Sequence, residues 1–246
     1  MHQIYVEKTQ VGKEYVTITG SDVNHIRNVL RMKIGETIRI SDREGGNYFC
    51  KIAETGENFV QADIVSVDEE GTELPSKIYL FQALPKGDRM ETVIEKAVEL
   101  GVYEIIPVAM KNCVVKLDAK KAAAKTARWQ GIAESAAKQS KRSIIPKIHE
   151  VVSFKEALKL AENCDIRLVP YENENGMEGT RTVLEQIEPG KSISIMIGPE
   201  GGFAEEEIAK ARETMQSISL GRRILRTDTA GICMMSMLML QLESRI

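Results

Sequence analysis

Ser192-Ile193-Ser194-Ile195-Met196-Ile197-Gly198-Pro199-Glu200-Gly201-Gly202-Phe203 is an apolar run that stops at three glycines within five residues. Six residues rich in isoleucine and closed by Gly-Pro are the length and composition of a buried strand. Ala204–Met215 follows, with Glu205, Glu206 and Glu207 in its first turn, where a helix N-terminus favours negative charge. Strand, sharp turn and helix in that order are one unit of an α/β domain.

Working outward from it, the same alternation continues in both directions. Upstream, the pattern predicts strands over Lys77–Leu84, Glu104–Ala109, Ile148–Val151 and Ile166–Pro170. Helices are predicted over Arg89–Leu100, Ala119–Gln139, Phe154–Ala161 and Arg181–Ile187. Downstream come a short strand, Ser217–Leu220, and a last helix, Asp228–Leu242. Apolar strands alternating with amphipathic helices imply a mostly parallel sheet. Before residue 75 the rhythm differs. Ile4–Val6, Glu14–Thr19, Thr37–Ser41, Tyr48–Ala53 and Phe59–Val67 read as short strands punctuated by glycine turns, the pattern of a small barrel. One helix interrupts them, capped by Asp22, with Val23, Ile26, Val29 and Leu30 on its inner face. The acidic stretch Asp68–Pro75 is the natural linker. The expected division is 1–70 and 75–246.

Composition narrows the function. The charged fraction of 28% is ordinary for a globular protein, and no apolar stretch approaches bilayer length. The opening Met1–Gln10 lacks the apolar core of an export signal, so a cytoplasmic protein is expected. Cys50, Cys113, Cys164 and Cys233 are far apart, with no CxxC pair or Cys/His cluster, which argues against zinc and a disulfide framework. No metal is expected. The net charge of −3 hides an asymmetry: residues 1–147 carry 22 Lys/Arg against 20 Asp/Glu, and residues 148–246 carry 11 against 16. Lys116–Lys147 holds nine basic residues against Asp118 and Glu134, either a solvated helix face or a phosphate-binding stripe.

Three segments follow strands at the end of the sheet where ligands bind in such folds. The first is Leu168-Val169-Pro170-Tyr171-Glu172. The second is Ile197-Gly198-Pro199-Glu200-Gly201-Gly202-Phe203, where the glycines admit a close-approaching ligand or simply make a tight turn. It lacks the fingerprints of a dinucleotide loop and of a P-loop. The third is Leu220-Gly221-Arg222-Arg223-Ile224-Leu225-Arg226-Thr227-Asp228-Thr229-Ala230. Apolar residues between arginines suit an aromatic ring beside an electron-rich oxygen. Thr227 or Asp228 also suits a helix cap.

Gly198–Gly202 with Leu220–Ala230 resembles the RsmE family of 16S rRNA uracil-N3 methyltransferases, of the SPOUT superfamily. The resemblance extends over nearly the whole chain, through His25–Met32, Lys86–Glu91, Glu95-Lys96, Glu99–Gly101, Val114–Asp118, Gln139, Arg142 and Pro146. It implies a PUA-like β-barrel followed by a catalytic domain with a deep trefoil knot, acting as a homodimer on 16S rRNA in the 30S subunit. It also implies S-adenosyl-L-methionine bound by Leu168–Tyr171, Ile197–Gly202 and Leu220–Ala230. RNA contacts are implied at Arg27, Arg31, Lys86, Lys116, Gln139 and Arg142. Gln3 and Asn112 depart from the family pattern where arginine is expected, and Lys138 where glutamate is.

Uracil N3 is a poor nucleophile until it loses its proton. Such a transferase must align N3 with the methyl group and stabilise charge spreading onto the flanking carbonyl oxygens. Arg226 is the first candidate for that stabilisation, and Glu200 or Asp228 for the proton. A ribose 2′-O-methyltransferase with the same donor pocket, or a non-catalytic ribosome-assembly factor, are the alternatives.

Overall fold

Alternating β-branched residues build the first sheet. Ile38 and Ile40, Ile52, Val16 and Ile18, and Val60 with Ala62 all turn to one side and are fully buried. Their strands are β1 (Gln3–Tyr5), β2 (Tyr15–Thr19), β3 (Thr37–Ser41), β4 (Asn47–Thr55) and β5 (Phe59–Val67). The computed structural model describes residues 1–174 and 176–245 and divides into two compact units. These are Met1–Glu73 with Ala137–Ile145, and Leu74–Ala136 with Pro146–Ile246.

The first unit corrects two expectations. Its strands run in the order β1-β3-β4-β5-β2, with β1 parallel to β3 and the other pairs antiparallel. Among the described residues β1 and β2 do not pair, so the sheet is a half-barrel and not the full barrel that the sequence implied. The predicted helix over 22–30 is a short α1 (Ser21–Asn24), capped by Gly20 and not by the Asp22 side chain, that loosens into a π turn over His25–Val29. The Leu30 N–H reaches back to the His25 carbonyl at 2.8 Å. Wider winding rotates the later residues, so Val23 and Ile26 stay buried while Val29 is 62% exposed.

The segment 137–145 returns to the first unit and is held there by side chains. The Arg142 carbonyl accepts from Gln3 Nε2 at 2.6 Å and Tyr5 Oη at 2.7 Å. The Ser143 carbonyl accepts from Ser41 Oγ at 2.5 Å, and Asn47 Nδ2 donates to Ser143 Oγ at 2.6 Å. Glu73 receives the Arg142 guanidinium at 2.5–3.0 Å and the Ser143 N–H at 2.7 Å. Gln3, where arginine was expected, thus has a structural use of its own.

The second unit is a parallel sheet covered by helices. After β6 (Lys77–Ala83) and α2 (Arg89–Glu99) come β7 (Glu104–Ala109), α3 (Ala119–Gln139, whose last residues belong to the first unit), β8 (Lys147–Ile148) and β9 (Val152–Ser153). Then come α4 (Phe154–Ala161), β10 (Ile166–Pro170), α5 (Glu178–Glu185), β11 (Ser192–Ile197), α6 (Glu205–Arg212), β12 (Gln216–Ile218) and α7 (Thr227–Glu243). The strand order is β12-β10-β11-β6-β7-β8, with β9 also beside β7 and every pair parallel. From β6 the chain first builds outward through β7, then crosses over to β10 and comes back to insert β11 between β10 and β6. The order therefore reverses beside β11, where parallel sheets place their ligand crevice. Ile193, Ile195, Met196 and Ile197 are all buried, as a central strand covered on both faces requires. No helix among the described residues is long and apolar enough to cross a membrane.

Candidate functional site

At the carboxyl end of β10, β11 and β12 the three loops singled out in the sequence surround one cavity of about 500 Å³. Residues 170–172, 197–203 and 220–227 line it, with Ala230 from the first turn of α7. Each loop is fixed from below. The Tyr171 N–H donates to the Ile218 carbonyl at 3.0 Å, and Arg212 lies over the Tyr171 ring at 4.9 Å. Arg212 also pairs with Glu174, which accepts from Ser217 Oγ at 2.8 Å.

The glycine loop is the most heavily braced. The Gly202 N–H closes a turn onto the Pro199 carbonyl at 2.9 Å, with Gly202 at φ +70°, a conformation that favours glycine. A Cβ on Gly198 would meet the Phe203 ring at 2.8 Å, so glycine is what lets that ring fold back over the turn. Asn112 Nδ2 donates to the Gly202 carbonyl at 3.1 Å. Asn112 was a departure from the family pattern, and its amide holds the glycine loop. Glu207, buried on α6, accepts the Lys111 N–H at 2.8 Å and the Ala204 N–H at 3.1 Å. Behind the cavity, Gln82 Nε2 donates to Thr227 Oγ at 2.9 Å, and Thr227 Oγ donates to the Gly198 carbonyl at 2.6 Å.

The third loop supplies charge. Ser219 exchanges hydrogen bonds with Thr180 Oγ at 2.8 and 3.0 Å, and Gly221 takes φ +107°. Arg222, Arg223 and Arg226 are exposed along the cavity, with Ile224 90% exposed between them and Leu225 half-buried. The cavity thus has apolar, backbone and cationic walls, the mix that holds a small polar ligand with an aromatic part.

The sequence-derived donor residues are mostly here, with exceptions. Pro170, Tyr171, Ile197–Gly202, Leu220, Gly221, Ile224, Leu225, Arg226 and Ala230 line the cavity. Leu168 and Val169 are fully buried inside β10, and Thr229 is exposed on α7 away from the lining. Of the catalytic candidates, Arg226 and Glu200 face the cavity and Asp228 does not. Glu200 Oε1 accepts the Lys86 N–H at 2.8 Å and Arg89 Nη1 at 3.2 Å. The donor residues implied by the resemblance stopped at Tyr171 and Gly202, one position short of Glu172 and Phe203, which also line the cavity. Both residues closed loops singled out in the sequence, and Arg222 and Arg223, within the third loop, line the cavity too.

The residues singled out for RNA contact fare differently. Arg142 is only 2% exposed and its guanidinium is committed to Glu73, which gives it a structural use. Arg27 is exposed but donates to the Gly56 and Glu57 carbonyls at 2.7 and 3.1 Å, and Lys116 Nζ donates to the Lys111 carbonyl at 3.2 Å. Arg31, at φ +53°, Lys86 and Gln139 are exposed. Among the described residues no three His, Cys, Asp or Glu side chains are placed to hold a metal.

A family of RNA methyltransferase domains matches residues 72–239, and a family of RNA methyltransferase PUA domains matches residues 18–65. Fold and site are those of an RNA methyltransferase with a PUA-like N-terminal domain. Ribosomal RNA small subunit methyltransferase E of Bacillus subtilis is 36% identical over 99% of this chain and 98% of its own. The crystal structure of a ribosomal RNA small subunit methyltransferase E from Neisseria gonorrhoeae, bound to S-adenosyl methionine, is 33% identical. It superposes with a TM-score of 0.80, covering 96% of this chain and 95% of that one. A methyltransferase from Legionella pneumophila, in complex with the cofactor SAM, gives 32% identity and a TM-score of 0.80 over 97% of this chain and 96% of its own. The chain belongs to the ribosomal RNA small subunit methyltransferase E family, as its C-terminal motifs implied.

Proposed function

We propose that this chain methylates N3 of a uridine in 16S rRNA, using S-adenosyl-L-methionine held in the β10–β11–β12 cavity. The observation that carries the reading is the convergence of the glycine loop and the arginine loop on one cavity of about 500 Å³. That volume lies in the range of small-molecule sites. The residues present fit the donor: Ile224 and Leu225 offer apolar contact to a purine, and the open backbone of the glycine loop offers hydrogen-bonding groups.

When bound, the donor supplies an electrophilic methyl group. The protein's part is alignment and charge. Arg226, exposed at the cavity and next to the Thr227 anchor, donates to the uracil carbonyl oxygen that gains charge as N3 attacks. Glu200 is the better-placed proton acceptor, because it lines the cavity and Asp228 does not. Its Oε1 is held by Lys86 and Arg89, while its Oε2 has no partner among the described residues. The target base must leave its stack to reach this site.

We assign residues 1–70 to RNA binding, as a PUA-like domain, and residues 75–246 to catalysis, with the trefoil knot that the SPOUT resemblance implies. Exposed Arg31, Lys86 and Gln139 remain the candidates for RNA contact. A homodimer is supported by the apolar groove of Met177, Leu184 and Met237, beside which Leu240 is 69% exposed on α7. The substrate is taken to be the assembled 30S subunit, in the cytoplasm.

The test is nucleoside mass spectrometry of unmodified 30S subunits and of naked rRNA after incubation with the protein and S-adenosyl-L-methionine. Appearance of 3-methyluridine is expected. A 2′-O-methylated nucleoside, or no methylation, would overturn the assignment.

A further inference from the structure

Methyl transfer changes the charge of the donor. S-adenosyl-L-methionine carries a positive sulfonium, and S-adenosyl-L-homocysteine, left after the methyl departs, carries a neutral thioether in its place. A pocket that keeps the one and releases the other benefits from a negative group near the sulfur. The cavity here is rimmed by Arg222, Arg223 and Arg226, an arrangement that by itself repels a sulfonium.

Three carboxylates stand in or near its wall, and two are already engaged. Glu200 is taken up by the Lys86 N–H and Arg89, and Glu174 by Arg212 and Ser217. Glu172 lines the cavity, is exposed to it, and makes no hydrogen bond or ion pair with any described residue. Its position is nevertheless defined. Tyr171, its chain neighbour, is pinned by the Ile218 carbonyl and stacked under Arg212. Glu172 Oε1 lies 2.8 Å from where a Cβ on Gly202 would sit, so the carboxylate folds over the glycine loop at a point that only glycine leaves open.

We propose that Glu172 is the group that reads the donor's sulfonium charge, and so distinguishes S-adenosyl-L-methionine from S-adenosyl-L-homocysteine. The inference rests on the donor reading of the cavity given above. It assigns to Glu172 an electrostatic contact with the cofactor, separate from proton transfer at uracil and from any role in folding. The attraction between a carboxylate and a sulfonium in a partly solvated pocket vanishes with the transferred methyl, so it biases occupancy toward donor over product.

The experiment is isothermal titration calorimetry of full-length wild-type protein, E172Q and E172D with each compound separately. Wild type is expected to bind both. E172Q is expected to bind S-adenosyl-L-methionine about tenfold more weakly, equivalent to about 1.4 kcal/mol, with S-adenosyl-L-homocysteine shifted by about twofold or less. E172D, which keeps the charge, should recover most of the preference. Equal weakening of both compounds in E172Q would mean a contact with the shared ribose or ammonium group and would overturn the proposal, as would no change in either. Failure of the wild type to bind either compound would instead bring down the donor reading itself. Thermal melting of each variant accompanies the titration; a loss of both ligands through misfolding in E172Q but not in E172D would also count against a purely electrostatic role.

Discussion

The Thr227 hydroxyl donates to the Gly198 carbonyl at 2.6 Å, joining the start of α7 to the glycine loop. A carbonyl only accepts, so the hydroxyl proton is committed there and the Thr227 oxygen must accept from Gln82 Nε2 at 2.9 Å. That order fixes the Gln82 amide, turning its Oε1 toward Gly231, where it is buried without a partner. Three segments that shape the cavity are thereby held by one short chain of hydrogen bonds through the floor of the sheet.

Removing the hydroxyl while keeping the shape isolates this chain. T227V leaves the Gly198 carbonyl without its donor and the Gln82 amide with only the Ala83 carbonyl at 3.3 Å, at about 1–3 kcal/mol for a buried group left unpaired. A lower melting temperature and weaker S-adenosyl-L-methionine binding are expected for T227V, with both restored in T227S. Equal behaviour of the two variants would show that the hydroxyl does not matter.

Gly231 tests the same contact from the other side. A Cβ there would sit 2.8 Å from Gln82 Oε1. Alanine improves helix propensity by about 1 kcal/mol, yet the crowding of a buried polar atom costs about 1–3 kcal/mol. G231A is therefore expected to be less stable in urea unfolding. A gain in stability would mean that Gln82 moves aside freely.

Arg142 separates a structural from a nucleic-acid role. Losing one partner of a buried ion pair costs about 3–5 kcal/mol, and the 27% exposure of the Glu73 side chain places R142A toward the lower end. The salt dependence of rRNA binding by R142A should keep the wild-type slope. A slope reduced by about one unit would restore Arg142 as a phosphate contact.

Arg226 is expected to act on the chemical step. R226Q should lower the single-turnover methylation rate by about 10²–10³-fold, the typical loss for one donor to a developing oxyanion. Donor affinity, measured by calorimetry, should change far less. Loss confined to donor affinity would reassign the residue to binding.

The thiols provide a pH-dependent readout. Burial pushes Cys50 up to about 12 from an ordinary value of 9.0 and raises Cys113 and Cys164 as well. A raised folded value means that the native state holds its protons longer than the unfolded chain. The contribution to stability is therefore full below pH 9 and is lost as pH rises toward 12 for Cys50. Stability should decline over that window, and iodoacetamide at pH 8 should leave these three thiols unmodified until urea unfolds the protein. Rapid native labelling of Cys50 would contradict its burial.

Much of the fold was legible because periodicity is local. The alternation of strand and helix after Pro75 is set by apolar spacing within each segment, and every predicted strand of the parallel sheet has a counterpart. The misread helix at 22–30 shows the limit: a 3.6-residue repeat puts Val29 inside, and one wide π turn puts it outside. The half-barrel shows another, since short β-branched runs predict strands but not whether the edge strands meet.

The sequence alone determined the strand–glycine loop–helix order, the arginine-bearing loop and the family, because these reside in neighbouring residues and their spacing. Tertiary structure alone decided what each charge does. Arg142, Lys116 and Arg27 looked alike as basic residues, and only folding turned the first onto Glu73 and the other two onto backbone carbonyls. Glu172 closed the first of the three loops with no role of its own, and folding makes it an uncommitted carboxylate in the cavity wall. The partners of Arg27 and Arg142 lie 29 and 69 residues away, so their roles follow from where the backbone brings those partners and cannot be read from their neighbours.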